Sequence, residues 1–175
     1  MSALLSLIAA VSTDGCISRG TGVPWDLPAD KQHFRAYTQD KWLLLGRRTF
    51  EEMRGWFQPG HRPLVLTRDA SLEVPGGQVV ASVGEAVHLA GEAGEVEIVC
   101  LGGAQMYAAA LSHAGRLVIT HVKQVLGGGL PFPTISPRDW EVVTRHPHPA
   151  DEAHEQAFEI VTYQRVLRRE YDLAA

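Results

Sequence analysis

Short runs that are apolar at almost every position, each giving way within a few residues to a helix-prone stretch, constrain this chain more than any other feature. A strand buried on one face alternates apolar and polar. A strand apolar throughout has to be covered on both faces, which points to a parallel sheet with helices above and below it. Leu4 to Ala10 reads as such a strand, broken only by Ser6. Trp42-Leu43-Leu44-Leu45, closed by Gly46, reads as a second, Pro63 to Thr67 as a third, and Glu97 to Leu101 as another. Gln78 to Ala81 is a shorter one. The spacing predicts helices over about Pro28 to Thr38, Thr49 to Met53, Val83 to Ala90 behind a Ser82 cap, and Gln105 to Leu111. Arg116 to Val122 and Phe158 to Gln164 read as antiparallel closing strands. The expectation is an α/β fold with a mixed sheet in a single domain spanning 1–175, its core about 4–164 and a short C-terminal tail at 165–175.

Charge and cysteine usage narrow the partners. Sixteen Lys and Arg stand against 20 Asp and Glu, a net charge of −4, which disfavours nucleic acid as the main partner. The apolar stretch Ala3 to Val11 is far shorter than the roughly 20 residues of a membrane helix. Cys16 follows that stretch, yet Thr13-Asp14-Gly15 is a poor lipoprotein cleavage context. Two cysteines, Cys16 and Cys100, make no disulfide framework. A cytoplasmic protein without membrane or nucleic-acid partners, acting as a monomer, is the expectation.

Three segments carry chemistry. In Val23-Pro24-Trp25-Asp26-Leu27-Pro28-Ala29-Asp30-Lys31-Gln32-His33-Phe34, two prolines stiffen the approach to a helix with Asp30 in its first turn. Phe34 lies four residues on, on the same face. A carboxylate framed by Trp25, Leu27 and Phe34 suits a planar heterocycle with a donor edge. The same residues also read as a solvated first-turn acid beside ordinary core. Leu45-Gly46-Arg47-Arg48-Thr49 ends a strand in glycine with two guanidiniums at a helix start, a phosphate-binding arrangement or a solvated basic turn. Thr67-Arg68 repeats the pattern. Val99-Cys100-Leu101-Gly102-Gly103-Ala104-Gln105-Met106-Tyr107 runs strand, Gly-Gly step, helix, which suits a pyrophosphate or a tight turn without ligand. His146, His148 and His154 cluster loosely without metal-ligand spacing, and no metal is expected.

These segments, in this order, resemble dihydrofolate reductase. Pro24-Trp25-Asp26-Leu27-Pro28-Ala29-Asp30 is similar to the family's Pro-Trp-x-Leu-Pro-x-acid motif. The resemblance continues through Gly46-Arg47-Arg48-Thr49, Leu64 to Arg68, Gly102 to Tyr107, Val118-Ile119-Thr120-His121, Phe132-Pro133, Asp139-Trp140 and Phe158-Glu159-Ile160. It implies a mixed eight-stranded sheet, mostly parallel with an antiparallel C-terminal edge, flanked by four helices. It implies hydride transfer from NADPH to C6 of 7,8-dihydrofolate, with protonation at N5. Asp30, Trp25 and Thr120 take the catalytic positions, Asp30 holding the pterin and Thr120 bracing it. Ile8, Ala10, Lys31, Phe34, Met53, Leu101 and Tyr107 fall at substrate positions. The implied NADPH contacts are Ala10, Ile17, Gly46, Arg47, Arg48, Thr49, Leu66, Thr67, Arg68, Leu101, Gly102, Gly103, Ala104, Gln105, Met106 and Tyr107. Arg47 and Arg68 correspond to the 2′-phosphate contacts. Gly102-Gly103 falls where the family has a cis peptide, and the loop from Thr13 to Val23 where it has a mobile lid.

Three departures stand out. Lys31 replaces the usual apolar residue after the acid, where its charge is available to the substrate's glutamate. His61 occupies the place of the family's arginine for the substrate's glutamate carboxylate, with Arg62 next to it as a substitute. Gly127-Gly128-Gly129-Leu130-Pro131 replaces an acidic loop that steadies the lid, so a less restrained lid is expected. A pyrimidine reductase of the riboflavin pathway shares fold and cofactor but lacks the Trp25 to Asp30 motif. A non-catalytic NADPH- or pterin-binding protein is the reading from a different class.

Overall fold

The structure, a computed structural model, describes residues 2–18 and 24–167. In chain order the strands and helices are β1 (Leu4–Ser12), β2 (Cys16–Ser18), α1 (Pro28–Thr38), β3 (Trp42–Gly46), α2 (Arg47–Glu52), β4 (Arg62–Leu66), β5 (Gln78–Val80), α3 (Val83–Glu92), β6 (Glu97–Gly102), α4 (Ala104–Ala110), β7 (Arg116–Val122), β8 (Leu130–Pro131), β9 (Trp140–His148) and β10 (Phe158–Arg165). Eight strands form one sheet in the order β5-β4-β3-β6-β1-β7-β10-β9. The pairs from β5 across to β7 are parallel. β10 runs antiparallel to both β7 and β9.

The apolar runs explain the layering. Leu5, Leu7, Leu44, Leu64, Cys100 and Ile119 point to one face, under Val83, Ala86 and Ala90 of α3 and Met106 and Ala110 of α4. The alternate residues Ile8, Leu43, Leu45, Val65, Val99 and Val118 point to the other, under Phe34 and Tyr37 of α1 and Phe50 of α2. Leu43, Leu44 and Leu45 are all fully buried, each contributing about 1.5–3 kcal/mol by leaving water. Ser82 caps α3 as its position implies, accepting from the Glu85 amide.

Parallel strands with right-handed crossovers end on a common edge. Here the carboxyl ends of β1, β3, β4, β6 and β7 meet the starts of α1, α2 and α4. The register places Ala10 opposite Thr120 and Leu45 opposite Gly102. At the opposite edge the buried Glu97 carboxylate accepts from Ser6, Tyr37 and Arg116, which ties the far end of α1 to the sheet.

Two regions differ from the sequence reading. The stretch from Gly127 to Ala153 holds a nine-residue edge strand, β9, whose residues are exposed from Glu141 to Pro147. The front of the glycine-rich loop is ordered as β2, paired with β8. Asp14, within the loop, accepts from the amides of Leu126 and Gly127 at 2.9 and 2.8 Å, which joins the loop to the start of the glycine run. Residues 19–23 of that loop and 168–175 of the tail lie outside the described residues. No helix among the described residues is long and apolar enough to cross a membrane.

Candidate active site

The start of α1 is held by its hydrophobic flanks. Trp25 and Leu27, 8% and 2% exposed, pack with Val122 and Phe158 beneath the first turn. Asp30 follows on the cavity side, half-buried. Thr120 Oγ1 donates to Asp30 Oδ1 at 2.6 Å. Burial pushes the Asp30 carboxyl above the usual carboxylate range, while the Thr120 hydroxyl and His33 pull against that rise.

A cavity of about 1240 Å³ runs along the carboxyl edge of the sheet. Around Asp30 its wall is Ile8, Ala10, Trp25, Phe34 and Thr120, an apolar slot with one acid. Leu101 and Tyr107 form the middle. Tyr107 is buried, and its hydroxyl donates to the Ile8 carbonyl at 2.6 Å. The other end is Gly46, Arg47, Arg48, Thr49, Leu66, Gly103, Ala104, Gln105 and Met106. Ile17, Lys31 and Met53 complete the lining among the residues expected from sequence.

The glycines at that second end leave room for a ligand. Gly46 and Gly103 are the N-caps of α2 and α4, and neither helix has a side-chain cap. A Cβ on Gly103 would come within 3.2 Å of Thr49 Oγ1, so the two helix starts approach closely there. Unfilled helix amides flanked by Arg47 and Arg48 suit the pyrophosphate and phosphate of a dinucleotide. The Gly102–Gly103 peptide is cis.

Several expected residues stand elsewhere. Gly102 does not line the cavity, because the Tyr107 ring fills the space where its side chain would be, 2.8 Å from an ideal Cβ. Thr67 and Arg68 also stand outside the wall. Thr67 Oγ1 accepts from the Asp69 amide, and Asp69 pairs with Arg47 at 3.1 Å, so this segment borders the Arg47 rim. His61 is a correction of substance. Its Nδ1 accepts from the Gln58 amide, its Nε2 donates to the Thr38 carbonyl at 3.0 Å, and its ring stacks on Trp56. With both nitrogens used to brace the loop, His61 stands outside the cavity wall. Arg62 turns the other way, donating to Gly76 and Gln78 with its guanidinium over the Trp42 ring. Lys31 does line the cavity, paired with Asp26 at 2.7 Å.

Other lining residues were not anticipated. His33 is three residues past Asp30, so helical spacing from that acid could have found it. Its Nε2 is buried without a partner among the described residues, and burial lowers its pKa. Arg35 lies one turn beyond Lys31 on the exposed rim. Trp56 comes from the irregular segment after α2, where no periodicity marks it.

Comparison with known proteins agrees with this geometry. A family model described as dihydrofolate reductase matches residues 4–165. Dihydrofolate reductase type 3 of Salmonella typhimurium is 39% identical over 162 residues, covering 93% of this chain and 98% of that protein. A dihydrofolate reductase of Mycobacterium tuberculosis is 38% identical over 121 residues, covering 68% of this chain and 71% of its own length. The structure of dihydrofolate reductase from Enterococcus faecalis complexed with NADP(H) and RAB-propyl superposes with a TM-score of 0.83 at 31% identity, covering 93% of this chain and 96% of that one.

Proposed function

The chain belongs to the dihydrofolate reductase family, and from that membership we infer that it reduces 7,8-dihydrofolate to 5,6,7,8-tetrahydrofolate with NADPH, hydride passing to C6 and a proton to N5. The observation that carries the reading is the half-buried Asp30 carboxylate, braced by Thr120, in an apolar slot at the carboxyl edge of the sheet.

NADPH, when bound, supplies the hydride. Arg47, Arg48 and Thr49 take its phosphates, with Arg68 beside Arg47 at the 2′-phosphate rim. The backbone of Gly46, Gly103 and Ala104 would lie against the pyrophosphate, at the uncapped starts of α2 and α4. Leu101 and Tyr107 wall the nicotinamide.

Asp30 accepts from the donor edge of the pterin, its 2-amino group and N3. An acid whose pKa is raised by burial holds a proton more readily at that edge, and a negative charge there favours protonated substrate. Ile8, Ala10, Trp25 and Phe34 cover the ring faces and exclude water, which strengthens both effects. The N5 proton arrives through water. The p-aminobenzoyl arm leaves past Phe34, Met53 and Trp56, and its glutamate meets Arg35 at the exposed rim.

The test is turnover: the purified chain is given NADPH with dihydrofolate, and tetrahydrofolate is identified as product. NADPH binding without tetrahydrofolate formation overturns the reading in favour of a non-catalytic binder. Turnover of an aminopyrimidine instead would point to the pyrimidine reductases.

A further inference from the structure

Helix α1, which carries Asp30, lacks a local cap. Its N-cap residue is Leu27, whose side chain accepts nothing, and Pro28 has no amide hydrogen to offer. The first amide needing an acceptor is therefore that of Ala29, immediately before Asp30. Its acceptor comes from 125 residues away: the Ala29 N–H donates to Nε2 of His154 at 3.1 Å.

His154 is 6% exposed. Because Nε2 accepts, that nitrogen is bare, so the ring proton is on Nδ1, which donates to Asp151 Oδ1 at 2.8 Å. Residues 151–154 form a tight turn closed by two backbone bonds, from Asp151 to the His154 carbonyl and from His154 back to the Asp151 carbonyl. The His154 ring packs against His148 of β9 and Phe158 of β10, and Phe158 belongs to the cluster that holds Trp25 and Leu27. His148, Asp151 and His154 bring ligand atoms within 4.8 Å of one another. A metal on His154 would have to displace the Ala29 amide at Nε2 or the ring proton shared with Asp151 at Nδ1; both nitrogens of this central ring are in use.

We propose that His154 is a positioning residue of the reaction: its imidazole caps α1 from across the fold and sets where Asp30 stands. The proposal rests on the reading of Asp30 given above.

Two substitutions test this. His154→Phe keeps a ring and removes the acceptor; His154→Gln offers Oε1 as a neutral acceptor that does not titrate. Hydride-transfer rate against pH and the titration of the Asp30 carboxyl, followed by carbon NMR in the protein without substrate, are measured for both. In H154F the rate at neutral pH falls about tenfold through misplacement of Asp30, and the Asp30 titration moves. H154Q stays within about twofold of wild type in rate and keeps the wild-type Asp30 titration, as a replacement cap should. A folded H154F with wild-type rate and unmoved Asp30 titration overturns the proposal. If H154F does not fold, His154→Ala is measured in its place, and a wild-type rate with unmoved Asp30 titration there overturns it. The Asp30 titration needs no turnover, so a wild type inactive on dihydrofolate would sink the functional reading while this coupling is still decided.

Discussion

Thr120 and Asp30 are joined side chain to side chain at 2.6 Å although 90 residues of chain separate them. The bond is the strut between β7 and α1 at the floor of the cavity, and it partly offsets the burial that raises the Asp30 pKa. Thr120→Val keeps the shape and removes the donor. A hydrogen bond to a charged group is worth about 1.5–3 kcal/mol, so kcat/KM at neutral pH should fall roughly tenfold or more, with the Asp30 titration moved upward and NADPH affinity unchanged. Stopped-flow hydride transfer across pH checks this; a wild-type profile in the variant contradicts it.

Asp30 should also cost stability. Its folded pKa is raised by burial, so the folded state holds the proton more tightly than the unfolded chain. The stabilisation this gives is complete below the unfolded pKa and is lost as pH rises through the folded one. At neutral pH Asp30→Asn, which still accepts from Thr120, is expected to melt a few degrees higher than wild type. The gap should close as pH falls through the raised value. Melting curves at several pH values decide it, and a variant less stable than wild type at neutral pH is the contrary result.

In the proposed binding mode the glutamate end of the substrate meets an exposed cation. His61 and Arg62 are committed elsewhere, and Arg35 is on the solvent-facing rim. An exposed ion pair is worth about 0.2–1 kcal/mol, so dihydropteroate, which lacks glutamate, should be turned over with kcat/KM within about tenfold of dihydrofolate. Arg35→Ala should narrow that difference and Arg62→Ala leave it alone. Strong discrimination that survives R35A and collapses in R62A would show that Arg62 swings to the cavity.

Arg47 is held between Glu51 and Asp69, whereas Arg48 is paired with Glu52 at the longer distance of 3.8 Å. Arg47→Ala is expected to weaken NADPH about tenfold, with NADH binding nearly unchanged and kcat intact, because a phosphate contact is lost. The NADPH advantage should shrink as salt is raised. Titration of both nucleotides against wild type and R47A, by quenching of protein fluorescence, measures it. Equal losses for NADPH and NADH would remove Arg47 from the 2′-phosphate.

What could be read before folding, and what could not, follows from where each constraint lies. β3, and β6 beyond Glu97, are apolar because both faces are covered, and Pro28 marks the first turn of α1, so these elements were visible locally. Asp30 and Phe34 share a helix face by spacing alone. β9 was hidden because most of its residues are exposed and it lies on the sheet edge, where Pro147 is tolerated and no alternation is imposed. The binding of His61 to the Thr38 carbonyl and of His154 to the Ala29 amide are tertiary facts, made by side chains whose partners no local pattern announces. Arg35 was within reach of a helical count from Asp30 and Lys31.

The most direct test of the central claim is the rate of NADPH-dependent dihydrofolate reduction by wild type and Asp30→Asn as pH is lowered. If Asp30 serves to favour the protonated substrate, the variant loses two or more orders of magnitude near neutral pH, the scale of general acid assistance. It then recovers as solvent protonates the substrate at lower pH, with NADPH affinity unchanged throughout. A variant as fast as wild type at neutral pH, or one equally slow at every pH, would contradict the role assigned to Asp30.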